Sequence, residues 1–222
     1  IFSGPKGHSS KKNDIGSLLP ILRGVFSRAA LKLNDHRRWI LELRDTQSIL
    51  NLVNDTRLAD WAGRGVATPD HVIRTKAKPL ILPKPPALNQ ESSIQWSNEL
   101  KEWVSSIEQA LSEYIREYIE YFRRHNSRSH RDNKQLDPLP RLIAIPEVGL
   151  IGVGNSSKAA GVTADIGEAW ASTVIAAESI GRFEPVSESD LFDLEYWSLE
   201  QAKLMKAQKE APFSRQIVVI TG

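Results

Sequence analysis

A chain of 222 residues, 41% apolar and 25% charged, can bury a sizeable core in water as one large domain or one and a half. A net charge of +2 gives no push toward nucleic acid or an anionic membrane. The absence of cysteine excludes disulfides, thiolate metal sites and cysteine nucleophiles from this sequence and fits a cytoplasmic setting.

Residues 1–16, rich in Gly, Ser, Lys and Asn, read as a flexible lead-in, and Ile1 in place of a start methionine suggests an excised piece. No run is apolar enough to span a membrane, and no signal segment opens the chain. Ser17 can cap a helix carrying Leu18, Leu22, Val25, Phe26 and Ala30 at helical spacing, with Pro20 in its first turn. Trp39–Leu43 alternates as a half-buried strand, and short helices are expected over 46–53 and 56–62, the second stopped by Gly63 and Gly65. His71–Arg74 and Leu80–Leu82 are short strand candidates, and Pro83, Pro85 and Pro86 end this half in a stiff segment.

Ser92 and Gln95 form a capping box before a long helix from Ile94 to Phe122. Its apolar stripe runs through Trp96, Leu100, Trp103, Ile107, Leu111, Tyr114, Tyr118 and Phe122. The basic run from Arg123 to Arg131 reads as a solvated loop. Two buried strands follow, Pro140–Ile145 and Leu150–Gly154. Asn155 or Ser156 caps the next helix, with Val162, Ile166, Trp170, Val174 and Ala177 inward and Gly181 closing it. A last helix runs from Ser198 to about Lys209, and Gln216–Ile220 is a β-branched strand before Thr221-Gly222. Strands alternate with helices, so the expected class is α/β, with a mixed sheet flanked by helices.

The five histidines form no His-x-His pair and no helical His-Glu-x-x-His, so no metal site is expected within the chain. The polar cluster Thr68–Lys76 offers one candidate site. In it His71 would be a base oriented by Asp70, and Arg74 and Lys76, on one face of a strand, would hold an anion. The plainer reading is a proline-initiated turn with a solvated basic edge. Gly149, Gly152 and Gly154 lack dinucleotide-loop spacing and read as a tight strand–turn–strand rather than a phosphate cradle. Ile217–Gly222 has the form in which a dinucleotide-binding fold begins, without the glycine turn and helix that complete it.

Three stretches, Arg64–Lys76, Ile180–Ser187 and Glu195–Leu204, together with the Val219–Gly222 ending, carry a resemblance. They are similar to bifunctional proteins that join a rhamnulose-1-phosphate aldolase of the class II aldolase/adducin type to a short-chain alcohol (lactaldehyde) dehydrogenase. The resemblance implies that residues 17–210 are the middle domain between the two enzymes and that 211–222 are a linker and the first strand of a dehydrogenase domain. It implies parent activities in rhamnose catabolism that use zinc and NAD, with the zinc-binding histidines upstream and the dehydrogenase Tyr-x-x-x-Lys downstream. The expected partners are the flanking domains, with a possible homo-oligomer. Leu142–Gly154 also resembles the strand, His-Gly turn and long helix that end a class II aldolase, with Val148 where the zinc-binding His would stand. This implies a degenerate three-layer α/β/α aldolase-like domain, acting as a structural connecting module with no catalytic residue, metal or cofactor of its own. The alternative it leaves open is a sugar-phosphate site around Asp70, His71, Arg74 and Lys76.

Overall fold

The computed structural model describes residues 15–86, 94–129 and 133–199. In chain order the elements are α1 (Ile15–Lys32), β1 (Ile40–Arg44), α2 (Gln47–Val53), α3 (Leu58–Arg64), a 3-10 turn (Pro69–His71), α4 (Val72–Thr75) and β2 (Leu80–Ile81). Then come α5 (Ile94–Asn126), β3 (Leu142–Ile145), β4 (Gly149–Gly154), α6 (Ser157–Ile180) and α7 (Glu188–Glu195). The strands form one mixed sheet in the order β1-β4-β3-β2, antiparallel except for the parallel β2–β3 pair.

Every residue of β3 and β4 is buried, because helices cover both faces of the sheet. Alternation along the strands divides the core in two. Ile143, Ile145, Ile151 and Val153 pack with α1 and α5, whose contributions include Leu22, Phe26, Ile107 and Leu111. Leu142, Ala144 and Leu150 pack with α2, α3 and α6, through Ile49, Leu52, Trp61, Trp170 and Val174. The mixed α/β class with helices on both sides of the sheet is therefore as the sequence implied, in three layers.

The two layers are built differently. Long side chains fill the α1/α5 side, whereas α6 presents Ala160, Ala164, Gly167 and Ala171 to the sheet. Helix and strand come so close there that a β-carbon on Gly152 would lie 2.8 Å from Ala164 Cβ, and one on Gly154 would lie 2.8 Å from Ala160 Cα. These glycines are thus sites of helix–strand contact, not a phosphate cradle or the bend of a turn. Only Gly149 serves the turn: its φ of +136° follows Pro146 and Glu147 (φ +65°), and Val148 N–H bonds to Ile145 O at 3.1 Å.

Several elements depart from expectation. Pro20 lies inside α1 and not in its first turn, because the helix already includes Ile15. Val162, expected inward, is 38% exposed. The small residues, not the largest, define the inner face of α6. Helix α5 continues through Asn126, and His125, assigned to a solvated loop, is buried. Its Nδ1 accepts from Arg128, which leaves Nε2 to donate to Glu188 Oε1 at 2.5 Å. His71–Arg74 is helical and not a strand. Pro69 starts the turn, and Val72 packs with Val66 and Leu191. That packing overrides the β preference of Val72-Ile73. Helix α7, capped by Ser187, is an element beyond those expected from the sequence. The capping box at Ser92, the helix to Lys209 and the strand at Gln216–Ile220 fall outside the described residues or largely so.

The α6–β4 contact makes a direct prediction. Gly154→Ala should lower the unfolding free energy by at least about 2 kcal/mol in urea denaturation, since the added methyl meets backbone rather than a movable side chain. Gly161→Ala, in the same helix with open space around it, should raise stability by up to about 1 kcal/mol.

Candidate functional site

The segment singled out by the sequence does not converge as drawn. Asp70 and Arg74 are exposed, His71 is half-buried and Lys76 is buried. Arg74 lies in the helical turn and meets solvent while Lys76, just beyond it, is enclosed, so the two do not share a face. His71 borders a small crevice with Ile166 and Trp170, and Lys76 lines the same crevice, whereas Asp70 and Arg74 do not. Lys76 ends α4 at φ 66°, ψ 176°, a region that is essentially glycine's. A lysine held there at a cost of order 1–3 kcal/mol must be fixed by what surrounds its side chain.

What surrounds it is a buried polar network. Lys76 Nζ lies 3.6 Å from Glu195 Oε1, at the end of α7, and 4.0 Å above the Tyr118 ring of α5. Tyr118 Oη donates to Glu195 Oε1 at 2.8 Å. Its one proton is thereby used, so the 2.8 Å contact between the two phenols is made by Tyr196 donating to Tyr118. Leu136 N–H in turn donates to Tyr196 Oη at 3.3 Å. Burial pushes the Lys76 ammonium down from its ordinary range, and the Glu195 carboxylate opposes the shift. Burial, then the same carboxylate, pushes the Tyr118, Tyr121 and Tyr196 phenols up, so all three remain protonated donors at neutral pH. Phe192 stacks on Tyr196 at 4.6 Å between ring centroids and meets Tyr121 edge-on at 5.6 Å, which seats α7 against α5.

A second charged group adjoins the first. Asp137 accepts from Arg141 at 2.6 and 2.7 Å and from Arg37 at 3.3 Å. The two guanidiniums lie 4.6 and 4.7 Å from the Trp39 ring centroid. Burial alone would raise the Asp137 carboxyl, but the positive charges of Arg141, Lys76 and Arg37 outweigh it and hold the group at about 2.

Above the tyrosines opens a cleft of about 330 Å³ between α5, the end of α3 and the start of α7. Tyr114, Tyr118 and Tyr121 form its floor. Its walls carry two ion pairs, Lys78 with Glu117 and Arg124 with Glu188, each at 2.6 Å. Helical spacing puts Tyr114 and Tyr118 in a plain apolar stripe and gives no sign of Tyr121 or Glu195. The available signal was three tyrosines at core spacing where leucine would serve, since a buried phenol needs a hydrogen-bond partner.

Val148 is buried in the α1/α5 layer, lining a small apolar gap with Leu18, Leu22, Trp103 and Ile151. Its side chain offers no donor and could not serve as a zinc ligand. Among the described residues, no three His, Asp or Glu side chains gather as metal ligands would. No helix among them is long and apolar enough to cross a membrane.

Residues 13–204 match the family model described as aldolase class II, second domain. The whole chain also aligns with a Bacillus subtilis (strain 168) protein named uncharacterized oxidoreductase YuxG, at 27% identity over 230 residues. The chain spans 30% of the length of that relative. No solved structure matches it.

Two measurements check the network. Glu195→Gln should destabilise the fold by roughly 3–5 kcal/mol, because it leaves the Lys76 charge buried without its counter-charge. Lys76→Met with Glu195→Gln should recover part of that loss, and a double-mutant cycle in urea reads the coupling. For Asp137 the folded pKa lies below the unfolded value. Its contribution is therefore present above about pH 4 and is lost as pH falls toward about 2. Asp137→Asn should remove on the order of 2 kcal/mol at neutral pH and flatten the acid limb of the stability curve.

Proposed function

The chain belongs to the class II aldolase second-domain family, and from that premise we propose that it is a structural connecting domain of a longer bifunctional enzyme. In this reading an aldolase portion cleaves a phosphorylated ketose of the rhamnulose-1-phosphate kind to dihydroxyacetone phosphate and lactaldehyde. A short-chain dehydrogenase portion then oxidises or reduces the aldehyde with NAD. Zinc and NAD belong to those portions, and the setting is cytoplasmic, with self-association of the parent compatible with the reading. The name of the partial relative, an oxidoreductase, supports the pairing of activities.

The observation that carries the structural role is Val148. In the stretch that resembles the end of a class II aldolase, Val148 stands where the resemblance would put the metal-binding histidine, and its apolar side chain is buried in the core. A residue so committed to packing supports the sheet and helices rather than a reacting centre.

Elemental analysis of the purified chain should find only substoichiometric zinc, and calorimetry should find no saturable NAD binding. The alternative, a sugar-phosphate site around Asp70, His71, Arg74 and Lys76, is separated by Arg74→Ala in the intact parent. Arg74 is exposed, so its removal leaves the fold intact. On the structural reading aldol cleavage stays within about twofold of wild type. A fall of tenfold or more, about 1.4 kcal/mol of transition-state binding, would establish the ligand site instead.

A further inference from the structure

We infer that the tyrosine-floored cleft binds an uncharged, polyhydroxylated ligand of about monosaccharide size. Its volume of about 330 Å³ lies at the small end of the range of small-molecule sites. The floor is aromatic, but two of its three hydroxyls are turned to other work. Tyr114 Oη donates to the Lys78 carbonyl at 2.8 Å, and Tyr118 Oη donates to Glu195. The three rings are only 6–7% exposed, so the floor offers a narrow apolar strip for the C–H groups of a sugar, and the polar walls supply most of the contact surface.

The walls decide against a charged ligand. Arg64, Lys78 and Arg124 face the cleft, and so do Glu117, Glu120 and Glu188, which leaves no net charge. Each of the three cations already pairs with a carboxylate: Arg64 with Asp60 and Glu178, Lys78 with Glu117, and Arg124 with Glu188. A phosphate would have to break such a pair and leave a carboxylate facing it. An apolar ligand would cover the same charged groups without replacing their water. A hydroxyl suits them, because it both donates and accepts. The Lys78–Glu117 and Arg124–Glu188 side chains are 42–56% exposed, so each retains open positions for a further hydrogen bond.

The test is calorimetric titration of the full chain with D-glucose, L-rhamnose and D-xylose, and in parallel with inorganic phosphate and a hexose phosphate. At least one neutral sugar should saturate with a Kd near or below about 1 mM. Val186→Trp fills the cleft from a position that is 42% exposed and should reduce that affinity at least tenfold. Ile180→Trp, 91% exposed and outside the cleft, should leave it unchanged. Glu120→Ala, on the exposed wall, should weaken binding at least threefold and decides the matter should Val186→Trp fail to fold. Saturation by none of the three sugars would overturn the inference. So would a phosphate compound binding at least tenfold tighter than every neutral sugar, or unchanged affinity in the wall variants. None of these outcomes bears on zinc content or on the effect of Arg74→Ala, so this inference and the connecting role stand or fall separately.

Discussion

The closeness of α6 to β4 is the constraint on which the architecture depends. A helix packed on a sheet through Leu or Ile stands well off the strands. Here Gly152 and Gly154 remove the side chains of the strand, while Ala160 and Ala164 reduce those of the helix to a methyl. Gly167 extends the fit, since a β-carbon there would lie 2.5 Å from Leu142 Cδ1. Close approach gains dispersion contacts along the helix–strand seam, which suits the small four-stranded sheet of the described residues. It also fixes the rotation of α6, because only one face of that helix is small enough to lie there. Trp170 is then directed so that its indole N–H reaches the Gly65 carbonyl at 3.0 Å, at the end of α3. The glycine strand thus positions α3, and with it one wall of the cleft.

The second organising contact is electrostatic. Lys76, Tyr118, Leu136, Glu195 and Tyr196 come from four separate parts of the chain and meet in one buried network. Two of the three stretches that carried the family resemblance, Arg64–Lys76 and Glu195–Leu204, supply Lys76, Glu195 and Tyr196 to it. The third, Ile180–Ser187, supplies Phe183, whose carbonyl accepts from Arg64 at 3.1 Å. These segments, far apart in sequence, thus complete one another's hydrogen bonds.

The parts of the fold that were legible in sequence are those governed by local periodicity. The long α5, the two central strands and the Ser156 cap, whose Oγ accepts from Ala159 N–H at 3.1 Å, all followed from spacing and side-chain type. The failures share a cause: long-range packing outweighed a local preference. Val72-Ile73 has strand character, yet it is helical because Val72 fills a space beside Leu191. Val162 looks like a core residue, yet it faces outward because the sheet admits only small residues at that distance. The candidate site failed in the same way. Arg74 and Lys76 looked equivalent as alternate residues of a strand. Once that strand became a turn of helix, one met water and the other was enclosed. Glu195 carried no local sign of burial, since its partners Lys76 and Tyr118 lie 77 or more residues earlier.

A buried ionic pair is weak evidence for stability in itself, because well-packed apolar residues often do as well. Its better-supported use is to specify one arrangement. An apolar α7 resting on the aromatic face of α5 could slide by a turn at little cost, since Phe192 would find another ring to meet. With Glu195 as the counter-charge of Lys76 and the acceptor for Tyr118, sliding would leave three polar groups buried without partners. The register of α7 is therefore fixed, and so are Glu188 and Leu191, which stand on the same helix and wall the cleft. The strained backbone of Lys76 fits this role, because it turns the ammonium inward at the residue where α4 must stop. Cleft shape and buried charge are in this sense one feature. The network beneath the tyrosines holds in place both the floor and the wall that a ligand would meet.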